Sequence, residues 1–278
     1  MHHAPFIRRK MSTPIIVCGA AGRMGKTLIG LVAQSLATQL VAAVEATGHA
    51  AVGTDAGDAA GCGSRGVTIS DELAAVVRDD AVILDFTNAA AALDHLRIAA
   101  AHRVPIVIGS TGFTEAQRAE LDRLAPQTRS VIAPNMSVGI AVLQRLVRDA
   151  AQALGSEFDA EIVELHHRMK VDAPSGTALA LGRTLAEATG RTLAQEAVYG
   201  REGVIGQRKQ NEIGILALRG GDVVGDHTVI FAGLGERIEL THRAQSRECL
   251  ARGAIRAALW LVHQPAGRYS MSDVLGEV

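Results

Sequence analysis

The chain has 278 residues, 48% of them hydrophobic and 21% charged, with a formal net charge of −1. That length suits one large domain or two ordinary ones with a substantial core, and that balance excludes global disorder. No basic excess points to nucleic acid, no Lys/Arg-rich amphipathic stripe to a membrane surface, and no apolar run approaches the roughly 18–20 residues of a membrane span. Five Phe, two Tyr and one Trp leave little for base stacking. Residues 1–11 hold His2, His3, Arg8, Arg9 and Lys10 without the apolar stretch of a signal peptide. They are expected to form a disordered extension, with Met11 as an alternative start. Cys18, Cys62 and Cys249 are odd in number, far apart and without metal-ligand spacing. A reduced, cytoplasmic chain with no metal site is the reading that follows.

Residues 15–18 (Ile-Ile-Val-Cys) predict a short buried strand, which runs into Gly19-Ala20-Ala21-Gly22-Arg23-Met24-Gly25. A helical pattern follows in Met24, Leu28, Leu31, Val32 and Leu36, then an apolar strand over residues 40–44 that ends in Glu45. Strand, glycine turn, helix, strand and acid is the order of a dinucleotide-binding βαβ unit. Gly22 lets the backbone approach a pyrophosphate, and Gly25 lets the helix pack close to the sheet. Glu45, 20 residues after Gly25, can accept from ribose hydroxyls. The turn departs from G-x-G-x-x-G in having Ala20 where the first glycine would stand, with Gly19 a position earlier.

Residues 47–66 read as a long loop and 67–69 as a short strand. Ser70 is expected to cap a helix. Residues 81–87 form a buried strand, 89–101 an alanine-rich helix and 104–108 another strand, followed by a turn at 109–112. Thr114 caps a helix running to about Leu124, and residues 130–133 make the next strand, ending at Pro134 and Asn135. Apolar strands alternating with helices predict a doubly wound parallel sheet. Ligands of such sheets lie beyond the carboxyl ends of the strands, so residues 19–25, 85–88, 109–112 and 133–137 should border one cleft.

From Val138 the pattern changes. Ile140, Leu143, Leu146 and Val147 mark a helix, and residues 159–165 alternate as a half-buried strand that delivers His166 at its end. The run from His166 through His167, Lys170 and Ser175 to Gly176 and Thr177 carries two imidazoles, an ammonium and a turn into a helix that extends to about Thr189. Ser175 suits an N-cap, which leaves the N–H groups of Gly176 and Thr177 as unpaired first-turn donors. Such a helix start attracts anions, so this is expected to receive a small carboxylate or phosphate beside built-in proton donors. Residues 190–211 read as loop. Residues 213–219, 226–232 and 237–241 alternate as strands of a mostly antiparallel sheet. Ser246 caps a helix over 249–262. The fold expected is α/β, a Rossmann-type dinucleotide-binding domain over 12–136, completed by 246–278, plus an α+β substrate-binding and oligomerisation domain over 137–245.

These residues together resemble the 4-hydroxy-tetrahydrodipicolinate reductase (dihydrodipicolinate reductase) family of lysine and diaminopimelate biosynthesis. The resemblance extends from about Ile15 to Leu275 and is most specific over residues 164–178. It is supported by the glycine turn, by Asp85-Phe86-Thr87, and by the stretches at 109–113, 135–139 and 220–227. It implies that NADH or NADPH delivers hydride to C4 of a small cyclic imine dicarboxylate after loss of the 4-hydroxyl as water. His166 matches the family's acid/base, Lys170 its proton donor, His167 its substrate-binding histidine, and Gly176 and Thr177 its carboxylate-holding pair. On the cofactor side Gly19, Ala20, Ala21, Gly22, Arg23 and Met24 match the pyrophosphate turn and Glu45 the ribose acid. Gly109, Ser110, Thr111, Ala133, Pro134, Asn135 and Met136 match the nicotinamide end. A homotetramer is implied as well. Three positions depart from the pattern. Ala46 stands where many relatives have an arginine for the NADP 2′-phosphate, Met169 where some have histidine, and Ser110 where threonine is frequent. Two other classes share parts of the pattern: a sugar or polyol dehydrogenase, and a non-catalytic NAD(P)-sensing regulator.

Overall fold

The structure, a computed structural model, describes residues 12–276; the extension expected over residues 1–11 lies outside the described residues. In chain order the elements are β1 (Thr13–Cys18), α1 (Arg23–Gln34), β2 (Thr38–Val44), α2 (Ala56–Ala60), β3 (Ile69–Ser70), α3 (Leu73–Val76), β4 (Val82–Asp85), α4 (Ala89–His102), β5 (Ile106–Ile108), α5 (Glu115–Leu124) and β6 (Arg129–Ile132). There follow α6 (Val138–Leu154), β7 (Asp159–His166), α7 (Gly176–Ala188), α8 (Leu193–Glu196), β8 (Ala197–Val198), β9 (Ile213–Arg219), β10 (Gly225–Ala232), β11 (Arg237–Ala244), α9 (Glu248–Leu261), β12 (Gly267–Tyr269) and α10 (Met271–Leu275). The described residues divide into two compact units, one of residues 12–133 and 251–276, the other of residues 134–250.

The first unit is built on a seven-stranded sheet of order β12-β6-β5-β4-β1-β2-β3, parallel throughout. Parallel strands carry helices on both faces, so their sequences are apolar without alternation. Residues 15–18 of β1 and all four residues of β4 are buried accordingly. On one face Ile16, Ile83, Ile106 and Ile108 pack with Leu93 and Leu96 of α4 and with Leu121 and Leu124 of α5. The strand order reverses between β1 and β4, the point at which open α/β sheets bind their ligands.

The second unit is a five-stranded sheet of order β11-β10-β7-β9-β8. β10 runs antiparallel to both β11 and β7, whereas β9 joins β7, and β8 joins β9, in parallel. Antiparallel pairing predominates, as expected. The parallel neighbour β9 requires a crossover from β7, which α7 supplies. Ile162, Ile213, Ile215, Val229 and Phe231 of the sheet bury against Ile140, Leu143 and Val147 of α6 and Leu181 and Leu185 of α7.

Local departures from the expected elements have local causes. α1 ends at Gln34, and Leu36, expected on its apolar face, is 98% exposed. The loop expected over 47–66 contains α2, because the Asp55 carboxylate accepts from the N–H groups of Gly57, Asp58, Arg65 and Val67 and so folds the segment around itself. Ser70 does not cap a helix. It lies in β3 and accepts from the Glu72 N–H, and α3 starts only at Leu73. Residues 190–211, also expected as loop, include α8 and the two-residue β8. β12 and α10 were not foreseen. β12 extends the first sheet beside β6, and Ser270 and Asp273 form a capping box on α10.

Candidate active site

β7 alternates strictly, with Ala160, Ile162, Glu164 and His166 facing the core. Two of these core-facing side chains are polar, and they meet. His166 Nδ1 lies 2.5 Å from Glu164 Oε2. Arg219, at the end of β9, donates to both oxygens of the same carboxylate at 2.8 and 2.9 Å, and the Ser175 N–H donates at 3.0 Å. Burial alone would raise the Glu164 pKa, but the Arg219 fork and His166 more than offset it and hold the carboxyl below its ordinary value. For His166 burial dominates over the attraction of Glu164, and the imidazole titrates below its ordinary value.

Ser175 caps α7 by accepting from the Ala178 N–H at 3.1 Å. That is the third donor of the helix, so the serine leaves the first-turn donors of Gly176 and Thr177 to a ligand, as the sequence predicts. Thr177 Oγ1 accepts from Asn135 Nδ2 at 3.0 Å. The residues after β7 are pinned to the β9–β10 connection, since the N–H groups of His167 and Arg168 donate to the Val223 and Gly221 carbonyls. Lys170 Nζ rests 2.8 Å from Asp172 Oδ1.

His166, His167, Lys170 and Thr177 line one cavity of about 210 Å³, entirely within the second unit. Gly176 is exposed beside Thr177 at the same helix start, while Met169 is 78% exposed and does not line the cavity. Asn135, expected at the nicotinamide end, also lines it; Pro134 is exposed, and the Met136 side chain is buried, so only its backbone could meet a ligand. Sequence reading missed Glu164, Arg219, His227, His242 and Arg247. Glu164 and His227 stand on the core faces of β7 and β10, and an acid or histidine at such a position is a visible signal. Arg219, 55 residues from its partner, gives none. His227 is 3% exposed; its Nε2 is 3.1 Å from Ser175 Oγ and its ring meets that of His166 edge-on at 5.1 Å. Burial, and next the charge of His166, lower its pKa to about 4.

In the first unit the glycine turn joins β1 to α1. Gly19 adopts φ +73°, and a Cβ on Gly25 would lie 2.0 Å from the Gly19 carbonyl oxygen, so only glycine permits the helix to approach this closely. The N–H groups of Gly19 and Ala20 donate to the Val44 carbonyl and that of Gly22 to Gly19. Ala21 donates to Glu45 Oε2 at 2.9 Å. Four of the six turn residues assigned to the cofactor thus spend their donors internally. No side chain caps α1 and its first turn holds no acid, so the helix start at Arg23 and Met24 is where an anion finds donors. This cradle fits a pyrophosphate, and Glu45, fixed by the turn and by the Ala46 N–H, fits a ribose. Gly109, Ser110 and Thr111 follow β5, and Ala133 follows β6. The Ser110 hydroxyl donates to Asp85. Asp85 also accepts from the Thr87 N–H and hydroxyl and pairs with His95. Cys18, Asp85 and His95 approach within 4.8 Å of one another, and these hydrogen bonds occupy the carboxylate.

Residues 13–136 match the family model for the N-terminus of dihydrodipicolinate reductase and residues 139–275 that for its C-terminus. The 4-hydroxy-tetrahydrodipicolinate reductase of Geobacter sulfurreducens is 51% identical over 264 residues, covering 95% of this chain and 99% of that one. That of Syntrophobacter fumaroxidans is 52% identical over 260 residues, covering 94% and 97%. Among solved structures, dipicolinate-bound dihydrodipicolinate reductase from Paenisporosarcina sp. TG-14 superposes with a TM-score of 0.71 at 24% identity, over 94% of this chain and 98% of that chain. An amine dehydrogenase from Mycobacterium smegmatis, at 0.60 and 15% identity over 95% and 97%, shares the fold. With both family models spanning nearly all the described residues and full-length relatives at half identity, the chain belongs to the dihydrodipicolinate reductase family.

Proposed function

We propose that this chain reduces 4-hydroxy-tetrahydrodipicolinate, with loss of water, to tetrahydrodipicolinate in lysine and diaminopimelate biosynthesis. The observation that carries the reading is the convergence of His166, His167, Lys170 and Thr177 on one cavity beside the open start of α7. A cyclic dicarboxylate needs donors for two carboxylates. The N–H groups of Gly176 and Thr177 meet one. Arg247, which lines the same cavity with its Nη2 3.5 Å from His167 Nε2, offers a guanidinium for the other. After loss of water, hydride adds at C4 of the double bond conjugated with the imine, and negative charge moves toward the ring nitrogen. The Lys170 ammonium stabilises that charge and donates a proton, and His166 exchanges a proton as acid/base. The pyridine nucleotide supplies the hydride. Residues 12–136 with 246–278 bind it, and residues 137–245 bind the substrate and form the oligomer. Glu45 followed by Ala46 favours NADH at least as well as NADPH. A cytoplasmic homotetramer completes the reading.

The test is consumption of NADH by the purified protein when dihydrodipicolinate synthase is fed pyruvate and aspartate semialdehyde. Turnover that depends on all components is expected. No oxidation of NADH or NADPH under these conditions would sink the reading.

A further inference from the structure

The Glu164 carboxylate is fully buried and takes four N–H donors. His166 Nδ1 and Arg219 Nη1 converge on Oε2, and the Ser175 N–H and Arg219 Nη2 converge on Oε1. Every partner is a donor, so only an ionised carboxylate satisfies the site; an amide would set its own NH₂ against at least one N–H. A carboxylate that receives the Arg219 fork can bond His166 only if Nδ1 carries the imidazole proton. In neutral His166 the other nitrogen, Nε2, then holds the lone pair. That atom faces Gly225, where an added Cβ would lie 2.9 Å away, and both residues line the cavity. Glycine at 225 keeps the atom uncovered. The oxygen that accepts from Ser175 is bonded to the N-cap residue of α7, so one carboxylate ties the imidazole to the helix start that receives an anion.

We propose that Glu164 is the positioning residue of this site. It fixes the His166 proton on Nδ1, leaves Nε2 as the one nitrogen that exchanges a proton with substrate, and holds that nitrogen in register with the carboxylate-binding end of α7. The inference rests on reading His166 as the proton-exchanging imidazole. The charged and titratable groups facing His166 are Glu164 on its own strand, Lys170 in the following loop, Arg219 on β9 and His227 on β10. Glu164 favours the charged imidazole, whereas Lys170 and Arg219 oppose it.

Long-range proton–nitrogen spectra of the ¹⁵N-histidine-labelled protein, assigned with a His166→Asn variant, read the tautomer directly and need no substrate. Neutral His166 is expected to be protonated on Nδ1 in the wild-type protein, and to lose that preference in Glu164→Gln. In the same variant kcat is expected to fall by about 10² or more, the scale of lost proton transfer. The pH midpoint of His166 in kcat/KM should move down in Glu164→Gln and up in Arg219→Gln. A merely structural role would move the two variants alike. If Glu164→Gln does not fold, the wild-type spectrum decides. Protonation on Nε2 in the wild type, or unchanged kcat and pH profile in Glu164→Gln, overturns the assignment. Absence of turnover by the wild-type protein overturns the functional reading instead, and the tautomer is read all the same.

Discussion

Lys170 rests against Asp172 with its ammonium still on the cavity wall. An ion pair at a partly exposed carboxylate is a weak restraint, so the ammonium is free to turn toward a dianionic ring. Lys170→Ala is therefore expected to lower kcat by at least about 10², the typical contribution of a positioned acid. NADH affinity in a fluorescence titration should change little. His166→Ala should behave alike, and the double variant should be less than multiplicatively worse if both serve one proton transfer. Near-normal turnover without Lys170 would remove it from the mechanism. His227 leads to a different measurement. Its pKa is about 4 in the fold, through burial and then its histidine neighbour, against 6.5 when unfolded. Between those values the unfolded chain binds more protons. The stability from keeping His227 neutral is thus complete above pH 6.5 and is lost as pH falls toward 4, in total about 3 kcal/mol. His166 and His242 are shifted the same way, each mainly by burial. Tm should fall on acidification from pH 7 to pH 5, and His227→Gln should flatten that slope. An unchanged slope would show that burial of this ring is not felt. The clustering of His166, His167 and Lys170 on one cavity was legible because two imidazoles and an ammonium at a strand end, before a capped helix, have few other uses. The groups that hold them were harder to see, since Arg219 reaches Glu164 only through the β7–β9 pairing.

Elements were legible where a single cause sets them. Thr114 and Ser175 cap their helices through side-chain bonds that the residue types announce. The continuous apolar strands β1, β4 and β5 announce a sheet covered on both faces. The element around Asp55 was illegible, because its donors come from as far as Val67 and no short pattern encodes them. The βαβ turn shows the same division. Its glycines were readable, but the internal use of its N–H groups was not, and this changes the cofactor argument. Glu45 is oriented by Ala21 and Ala46, so its charge is fixed at the end of β2 where a 2′-phosphate would come. Arg23 is exposed at the start of α1, and Lys26 one turn on; each can return about 1 kcal/mol to a phosphate. NADH is expected to be used at least as well as NADPH, and Ala46→Arg should shift preference toward NADPH. Side-by-side kcat/KM values decide it. A wild-type preference for NADPH beyond about tenfold, or 1.4 kcal/mol, would show that a basic group outweighs Glu45.

At the scale of the whole molecule the two faces of the second unit's sheet differ. α6 and α7 cover the side of Ile162, Ile215 and Val229. A strand presents alternate residues to opposite faces, so Val163 and Leu165 of β7, Leu216 and Leu218 of β9, and Ile230 of β10 lie on the other. Val163 pairs with Leu216 and Leu165 with Leu218, which makes a contiguous apolar patch, and Leu218 is 50% exposed. At one end of the patch Glu161 is held by Arg201 and Arg208, which gives it a polar rim. An apolar patch with a charged border is the composition of a protein–protein interface, and a closed symmetric oligomer covers such a face with its own copy. We therefore expect a homotetramer assembled through this face. Light scattering on the eluting protein should give four copies of a 29.1 kDa chain, about 116 kDa. Leu218→Glu sets a carboxylate in the patch beside Leu165 and should shift the population to smaller species, while the fold, read by circular dichroism, persists. A wild-type protein that elutes at the mass of one chain, or a Leu218→Glu variant with unchanged mass, would refute assembly through this sheet.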